Sequence, residues 1–213
     1  MAIDQQARTK GEQTRSAILK EAARLATVVG LDGLSVGGLA NAMGMSKSGV
    51  YAHFGSKREL QLCTIESARV TFVGEVLCPA LRAPRGIRRL LAACEEFLSH
   101  VERGVFPGGC FFSAAAVDVA SWPGPVRDAI SSQRTEWLTM LERLARESQE
   151  LGELDPDLDP AQLAFELQAV LAAANTTFIL QGDQTVFARA RRAVLKLVPT
   201  DAVPPPPRTR LAM

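Results

Sequence analysis

Side chains that could bind a nucleic acid are concentrated in one short stretch of the N-terminal third of the chain. Lys47, Ser48 and Tyr51 offer hydrogen-bonding groups suited to base edges, and His53 and Lys57 offer groups suited to phosphate. Any one of them alone is more often an ordinary surface group. Five within so short a stretch, four of them turned outward from one predicted helix, indicate a surface that could meet a nucleic acid.

Helix and turn signals on either side would position these side chains. Ser35 can cap a short helix, and Gly44 supplies the positive φ with which the chain leaves it. Ser46 can then cap a second helix, from Lys47 to about Phe54, whose apolar residues four positions apart would pack on the first. Two short helices joined by a glycine turn are typical of a helix-turn-helix.

A third helix is predicted to begin at Lys57. Ser56 and Glu59 have the spacing of a capping box, and the free N–H groups of this first turn, with Lys57, suit a phosphate. We expect the helix to continue until Pro79 breaks it. Upstream, an apolar stripe predicts a helix that ends at Gly30 and packs across the pair; its members are Ile18, Leu19, Ala22, Leu25, Ala26 and Val29.

Together these segments resemble the DNA-binding domain of the TetR family of transcriptional regulators. The resemblance covers about the first quarter of the chain and keeps the family's spacing without a gap. One departure is the pair Gly37-Gly38. Each glycine lowers helix stability by about 1 kcal/mol relative to alanine, so the pair either loosens the second helix or is present because it lets a neighbour approach closely. The matching residues are Leu39-Ala40, Gly44-Met45-Ser46, Gly49 to Phe54, Ser56-Lys57 and Glu59-Leu60.

The resemblance implies a ligand-responsive transcriptional regulator. We expect a repressor that binds a palindromic, double-stranded operator as a homodimer and is released by a small apolar or amphipathic effector. It also implies which residues contact DNA. The expected set is Ser35, Ser46, Lys47, Ser48, Gly49, Tyr51, His53 and Lys57.

Composition agrees with a small basic head on a near-neutral body. The chain has 213 residues, of which 47% are hydrophobic, enough for a real core. Residues 1–60 hold eight Lys or Arg against five Asp or Glu, and the remainder holds sixteen against eighteen. We see no apolar run of transmembrane length and no signal peptide, so a cytoplasmic protein without a membrane partner is expected.

Helical periodicity without strand alternation continues through the body, which predicts an all-α fold. We expect an N-terminal arm and helix-turn-helix DNA-binding domain at 1–56, a helical effector-binding and dimerisation domain at 57–200, and a Pro-rich disordered tail at 201–213. In the TetR family the last long helices of the body form the dimer interface. Helices at about 126–151 and 160–181 are the candidates, and the second is apolar on much of its circumference.

Bulky apolar groups of the body could line a ligand cavity or simply form the core. The resemblance implies an effector cavity lined in part by the helix that follows Lys57. Asn175, an amide on an otherwise apolar helix, needs a hydrogen-bond partner, which could be a ligand, a water or a second copy of the chain. The expected ligand-binding residues are Cys94, Phe97, Cys110, Phe111, Trp122, Trp137, Asn175 and Phe178.

Enzyme signatures are missing from the sequence, but two alternative functions stay open. We find no Gly-rich phosphate loop, His-x-x-x-His or Gly-x-Ser-x-Gly, so no enzyme, cofactor or metal is expected. The four cysteines lack a Cys-x-x-Cys pair, which favours buried free thiols, with a thiol-based redox regulator as an alternative. The main rival is a helical effector-binding or adaptor protein without operator function.

Overall fold

The computed structural model describes residues 9–198 and contains helices but no strand among them, which confirms the all-α prediction. The predicted tail at 201–213 and the first eight residues lie outside this range. Helices α1–α3 form a head, α4 joins it to the body, and α5–α10 complete the body. Their bounds are α1 Lys10–Gly33, α2 Val36–Ala42, α3 Lys47–Tyr51, α4 Lys57–Phe72, α5 Cys78–Leu81, α6 Ile87–Glu102, α7 Phe111–Val119, α8 Pro125–Glu150, α9 Pro160–Gln181 and α10 Thr185–Leu197.

The head has an apolar core of its own. Its buried residues are Ile18, Leu19, Ala22, Leu34, Leu39, Ala40, Val50, Phe54 and Leu60. Because Leu60 is among them, the first turn of α4 is packed into the head while the rest of the helix runs into the body. The stripe predicted for α1 is confirmed at Ile18, Leu19, Ala22 and Ala26 but wrong at Val29, which is exposed.

Local hydrogen bonds fix where the helices of the head begin. Ser35, Ser46 and Ser56 each accept a hydrogen bond, at 3.0–3.1 Å, from the backbone N–H three residues further on. These caps satisfy donors that the first turn of a helix leaves free. The predicted capping box at Ser56 is only half formed, because the Glu59 carboxylate accepts from the Gly55 N–H, at 3.0 Å, one residue before the cap.

A glycine joint connects the end of α1 to α7. Gly30 interrupts α1 with φ +78° and ψ 159°, at the position where the sequence predicted the helix to end, and a last turn follows it. The Leu31 N–H then donates to the Asp118 Oδ2 of α7 at 2.8 Å. A Cβ at position 30 would lie 2.4 Å from that oxygen, so the joint requires glycine.

The expectation that Pro79 breaks the helix after Lys57 is wrong. A π-helical turn, Val73–Leu77, follows α4, and α5 continues through Pro79 to Leu81. The Cys78 N–H donates to the Val73 carbonyl, five residues back. The wider π turn shifts the hydrogen-bonding register just ahead of the proline, which has no N–H of its own and would otherwise crowd the preceding turn.

In the body, α8 and α9 pack along each other and, with α4, α6, α7 and α10, enclose the larger core. Both helices begin and end within a residue or so of the predicted positions. The predicted cap of α9 is confirmed, because Asp159 accepts from the Ala161 N–H at 2.9 Å. By length and composition alone α9 could cross a membrane, a test that core helices also pass; its contacts with α8 and α10 place it in the bundle.

Candidate nucleic-acid interface and ligand cavity

The outer face of α3 presents the predicted base-reading side chains to solvent. Val50 and Phe54 are buried in the head core, so Lys47, Ser48 and Tyr51 lie on the open side, with Tyr51 56% exposed. Within residues 9–198 the side chains of Lys47 and Tyr51 make no hydrogen bond or ion pair. Their donors are therefore free to bind another molecule.

Gly37 makes room for one of these side chains. A Cβ at position 37 would lie 3.2 Å from the Cε of Lys47, closer than nine in ten real contacts of this kind. The sequence left two explanations for Gly37-Gly38, a loosened helix or the close approach of a neighbour. The contact at Gly37 supports the second, with Lys47 as the neighbour. At Gly38 the close neighbour belongs to the same helix start, since a Cβ there would lie 3.1 Å from the Ser35 hydroxyl that caps α2.

Several other predicted DNA contacts are already used within the head. The Lys57 ammonium donates to the Asp32 carboxylate at 2.9 Å and to the Asp32 carbonyl, although both side chains remain about half exposed. Ser35 and Ser46 act as helix caps, and Gly49 donates its N–H to Ser46. These residues fix the shape of the interface, and a direct contact from any of them to phosphate stays a prediction.

His53 lies at the end of the same surface. Its side chain is half-buried, and its ring centroid is 6.3 Å from that of Phe54 in a tilted arrangement. The α-helical part of α3 ends at Tyr51, so His53 sits in the turn after the helix rather than inside it as predicted. A contact from His53 to phosphate stays a prediction.

A half-open cavity of about 450 Å³ lies in the body between α4 and α6–α9. Four aromatic residues belong to its wall, and Phe72 of α4 contacts the other three. The Phe72 ring lies edge-on to Phe97, Phe112 and Trp137, at centroid distances of 6.4, 6.0 and 5.3 Å. A mostly apolar cavity of this size, within roughly 300–1,000 Å³, suits a small molecule.

Ten of the eighteen lining residues are polar or charged, although most of the surface that faces the cavity is apolar. The Trp137 Nε1–H donates to Gln168 at 2.7 Å, which satisfies a buried indole donor. Arg69, Arg134 and Arg143 also line the cavity. An apolar surface interrupted by directed polar groups is the usual composition of a ligand site.

The structure brings only some of the predicted ligand residues together. Phe97, Cys110 and Trp137 line the cavity; Cys94 and Phe111 are buried in the surrounding core. Asn175, Phe178 and Trp122 also lie outside the cavity, each for its own physical reason.

The Asn175 amide oxygen accepts from the Cys110 N–H at 2.8 Å, so its partner is the chain entering α7 rather than a ligand. Phe178 packs against Phe187 of α10 with centroids 4.9 Å apart. Trp122 is 49% exposed and lies in a separate groove at the junction of head and body, beside Asp32.

The resemblance implied that α4 lines the cavity and Trp137 of α8 was predicted, but the other lining residues of these two helices were missed. Arg69, Phe72 and Val73 occupy one face of α4 and its extension. Their spacing of one and three positions is visible in the sequence, but it indicates only a shared face and not which neighbour that face meets. Gln168 and Met140, on α9 and α8, were missed for the same reason.

A buried histidine stands next to the cavity wall. His100 is 1% exposed, and neither ring nitrogen has a hydrogen-bond partner in the described part of the chain. It lies between the rings of Phe72 and Phe106, at 6.2 and 5.8 Å. Burial lowers the pKa of His100 to about 4, so the ring is neutral at pH 7.

Comparison with known sequences identifies the family. Residues 18–62 match the family described as "Bacterial regulatory proteins, tetR family", and residues 86–194, half of the chain, match "Tetracyclin repressor-like, C-terminal domain". The chain belongs to the TetR family. The resemblance inferred from the helix-turn-helix residues is thereby confirmed.

Solved structures of TetR-family regulators share this fold. A TetR transcriptional regulator from Chloroflexus aurantiacus has a TM-score of 0.82 at 24% identity, over 88% of this chain and 94% of that one. AibR in complex with isovaleryl coenzyme A and operator DNA has 0.71 at 26%, over 87% and 99%. A Saccharomonospora viridis regulator in complex with choline has 0.73 at 19%, over 88% and 96%. No curated protein matches the sequence.

As a member of the TetR family the protein is a DNA-binding transcriptional regulator and not an enzyme. Its buried cysteines lack the features of reactive thiols. Burial raises the pKa of Cys94 to about 12 and also raises that of Cys110. Because the thiolate is the reactive form, neither residue has the low pKa that a redox sensor needs.

Proposed function

We propose that this TetR-family protein is a cytoplasmic repressor that binds a palindromic operator as a homodimer and is released by a small amphipathic effector. The observation that carries the proposal is the position of α4. Its first turn is packed into the DNA-binding head, and its far end supplies Phe72 to the wall of the cavity. A molecule bound against Phe72 would therefore act directly on the helix that holds the head.

An exposed apolar stripe on α9 supports the homodimer. Phe165, Ala169, Ala173 and Leu180 recur every four or seven positions along the solvent side of the helix, with Phe165 63% and Leu180 79% exposed. Such a stripe is costly to leave in water and is typical of a surface that packs against another chain. A two-fold dimer would also present two copies of α3 to the same DNA, as binding in successive major grooves about 34 Å apart requires.

Hydrogen bonds between head and body offer a route for the effector signal. The Gln61 side chain of α4 donates to the Leu31 carbonyl at 2.8 Å, and Asp118 of α7 accepts from the Leu31 N–H at 2.8 Å. Both α4 and α7 line the cavity. An effector that binds one arrangement of these helices better than the other would shift the spacing of the two heads, by its differential affinity for the two states.

The relatives supply precedent for both kinds of ligand. AibR was solved with isovaleryl coenzyme A and operator DNA, and the Saccharomonospora viridis regulator with choline. We extend the general pattern to this chain: operator DNA bound at the head and a small molecule in the body.

The test is DNA binding by fluorescence anisotropy, on the DNA that flanks the protein's own gene, at several salt concentrations. We expect sequence-selective, salt-sensitive binding. Lys47→Ala should weaken it and lower the salt slope by about one. The matched control is Lys196→Ala, which removes the same charge from an exposed site on α10.

Two outcomes would count against the proposal. Absence of selective binding at any salt concentration would exclude a repressor function. Equal losses for Lys47→Ala and Lys196→Ala would mean that the protein binds DNA through its overall charge and not through α3.

A further inference from the structure

The charges that line the cavity are mostly positive. Arg69, Arg134 and Arg143 face it together with one carboxylate, that of Glu136. Arg69 is already paired, since its guanidinium donates two hydrogen bonds to Glu66 at 2.8 and 2.7 Å. The excess of positive charge therefore falls on Arg134 and Arg143.

Arg134 is the guanidinium without a partner. Its side chain is half-buried on α8, and within the described part of the chain it makes no hydrogen bond and no ion pair. Arg143, by contrast, is exposed and lies 3.4 Å from the Met140 sulfur. A partly desolvated arginine with five free donors is a site that an oxygen anion stabilises, and a carboxylate can accept two of those bonds at once.

The charge of Arg134 reaches the inner wall of the cavity. Burial raises the pKa of the Cys110 thiol, while hydrogen bonding from Ser113 and, more weakly, the positive charge of Arg134 lower it. Cys110 and Ser113 both line the cavity. A ligand anion paired with Arg134 would therefore share the cavity with the Ser113 hydroxyl and the aromatic rings.

The same cavity is poorly suited to a cation. The Glu136 carboxylate already accepts from the Gln133 amide at 3.0 Å. The aromatic rings pack against each other, because Trp137 stacks on Phe97 at 6.0 Å and receives Phe72 edge-on at 5.3 Å. A quaternary ammonium would need a free ring face and no neighbouring guanidinium.

We propose that the effector of this regulator is an amphipathic carboxylate, whose apolar body lies against Phe72, Phe112 and Trp137 and whose carboxylate pairs with Arg134. The inference rests on the proposed function only in calling this ligand the effector. The binding site itself follows from the charge and packing of the cavity.

Matched probes test the charge requirement. Hexanoate, octanoate, decanoate and phenylacetate would each be titrated calorimetrically into the full-length protein beside the corresponding neutral amide, and octyltrimethylammonium would serve as the cation. We expect at least one carboxylate to bind at least tenfold more tightly than its amide, in line with a charge-assisted hydrogen bond. Arg134→Gln should remove this preference and leave amide binding unchanged.

Arg192→Gln, which removes an exposed arginine on α10, is the matched control and should keep the preference. The inference is overturned if no carboxylate binds better than its amide, if Arg134→Gln keeps the preference, or if the ammonium binds best. Operator binding without ligand, measured separately, distinguishes the two proposals. Carboxylate binding that depends on Arg134 in a protein without operator affinity would refute the repressor and leave the site intact.

Discussion

The joint between Gly30 and Asp118 allows a quantitative test of how head and body are held together. Gly30 adopts φ +78° and ψ 159°, a region that is almost exclusive to glycine, and forcing another residue into it costs of order 1–3 kcal/mol. A Cβ there would also lie 2.4 Å from the Asp118 oxygen that accepts the Leu31 N–H. Gly30→Ala should therefore impose backbone strain and also break this hydrogen bond.

Hydrogen bonds to a charged group contribute about 1.5–3 kcal/mol, and partial exposure of Asp118 reduces this to about 1–2 kcal/mol. We expect Asp118→Ala to destabilise the protein by that amount and Gly30→Ala by about 3–4 kcal/mol. In the double variant Gly30→Ala/Asp118→Ala, the Leu31–Asp118 hydrogen bond can be lost only once, and the clash between the new Cβ and the Asp118 carboxylate is absent. Its total should fall short of the sum by about 1–2 kcal/mol.

The assay is urea unfolding followed by circular dichroism, at one fixed protein concentration so that association does not shift the midpoint. Lys57→Ala is the control, because the exposed Lys57–Asp32 pair should contribute less than about 1 kcal/mol. Additive losses for Gly30→Ala and Asp118→Ala, within about 0.5 kcal/mol, would refute a joint in which the two positions share one interaction.

Three further predictions concern the cavity wall, the dimer and α2. Because burial lowers the pKa of His100 from 6.5 to about 4, the folded state resists protonation of this ring. The contribution of His100 to the free energy of unfolding should be fully present above pH 6.5, and about 3 kcal/mol of it should be lost as the pH falls towards 4. His100→Leu should flatten this pH dependence in urea titrations. Leu180→Glu should dissociate the dimer in analytical ultracentrifugation, whereas Leu195→Glu, on α10, should not. Gly37→Ala should raise the unfolding free energy by up to about 1 kcal/mol but weaken operator binding, because it displaces Lys47; unchanged affinity would contradict this reading.

Features that depend on a few neighbouring residues could be predicted from the sequence. Ser35, Ser46 and Asp159 cap their helices as expected, because a cap joins one side chain to a backbone N–H no more than three residues away. Gly44 has the predicted positive φ of 62°. The helix-turn-helix was recognisable because local caps and turns determine its geometry.

Features that depend on packing between distant elements could not be predicted in the same way. Phe72 and Phe178 both lie on helical apolar faces, yet only Phe72 reaches the cavity, because Phe72 meets α6, α7 and α8 whereas Phe178 meets α10. Asn175 looked available for a ligand until the fold brought the Cys110 N–H to it. Lys57, apparently free for phosphate, meets Asp32 from twenty-five residues upstream.

The contacts from the cavity-lining helices converge on one residue of the head, Leu31. The Leu31 N–H is bound by Asp118 of α7, and its carbonyl is bound by Gln61 of α4. The loop before α7 adds a third bond nearby, from the Gly108 N–H to the Thr27 hydroxyl at 3.1 Å. Because α4 and α7 hold opposite sides of the same residue, a movement that separates them must break one bond or carry the end of α1 along with it. In the proposed effector response, a displacement at the cavity would therefore move the head or break one of these bonds, and a choice between two discrete arrangements is what a switch requires.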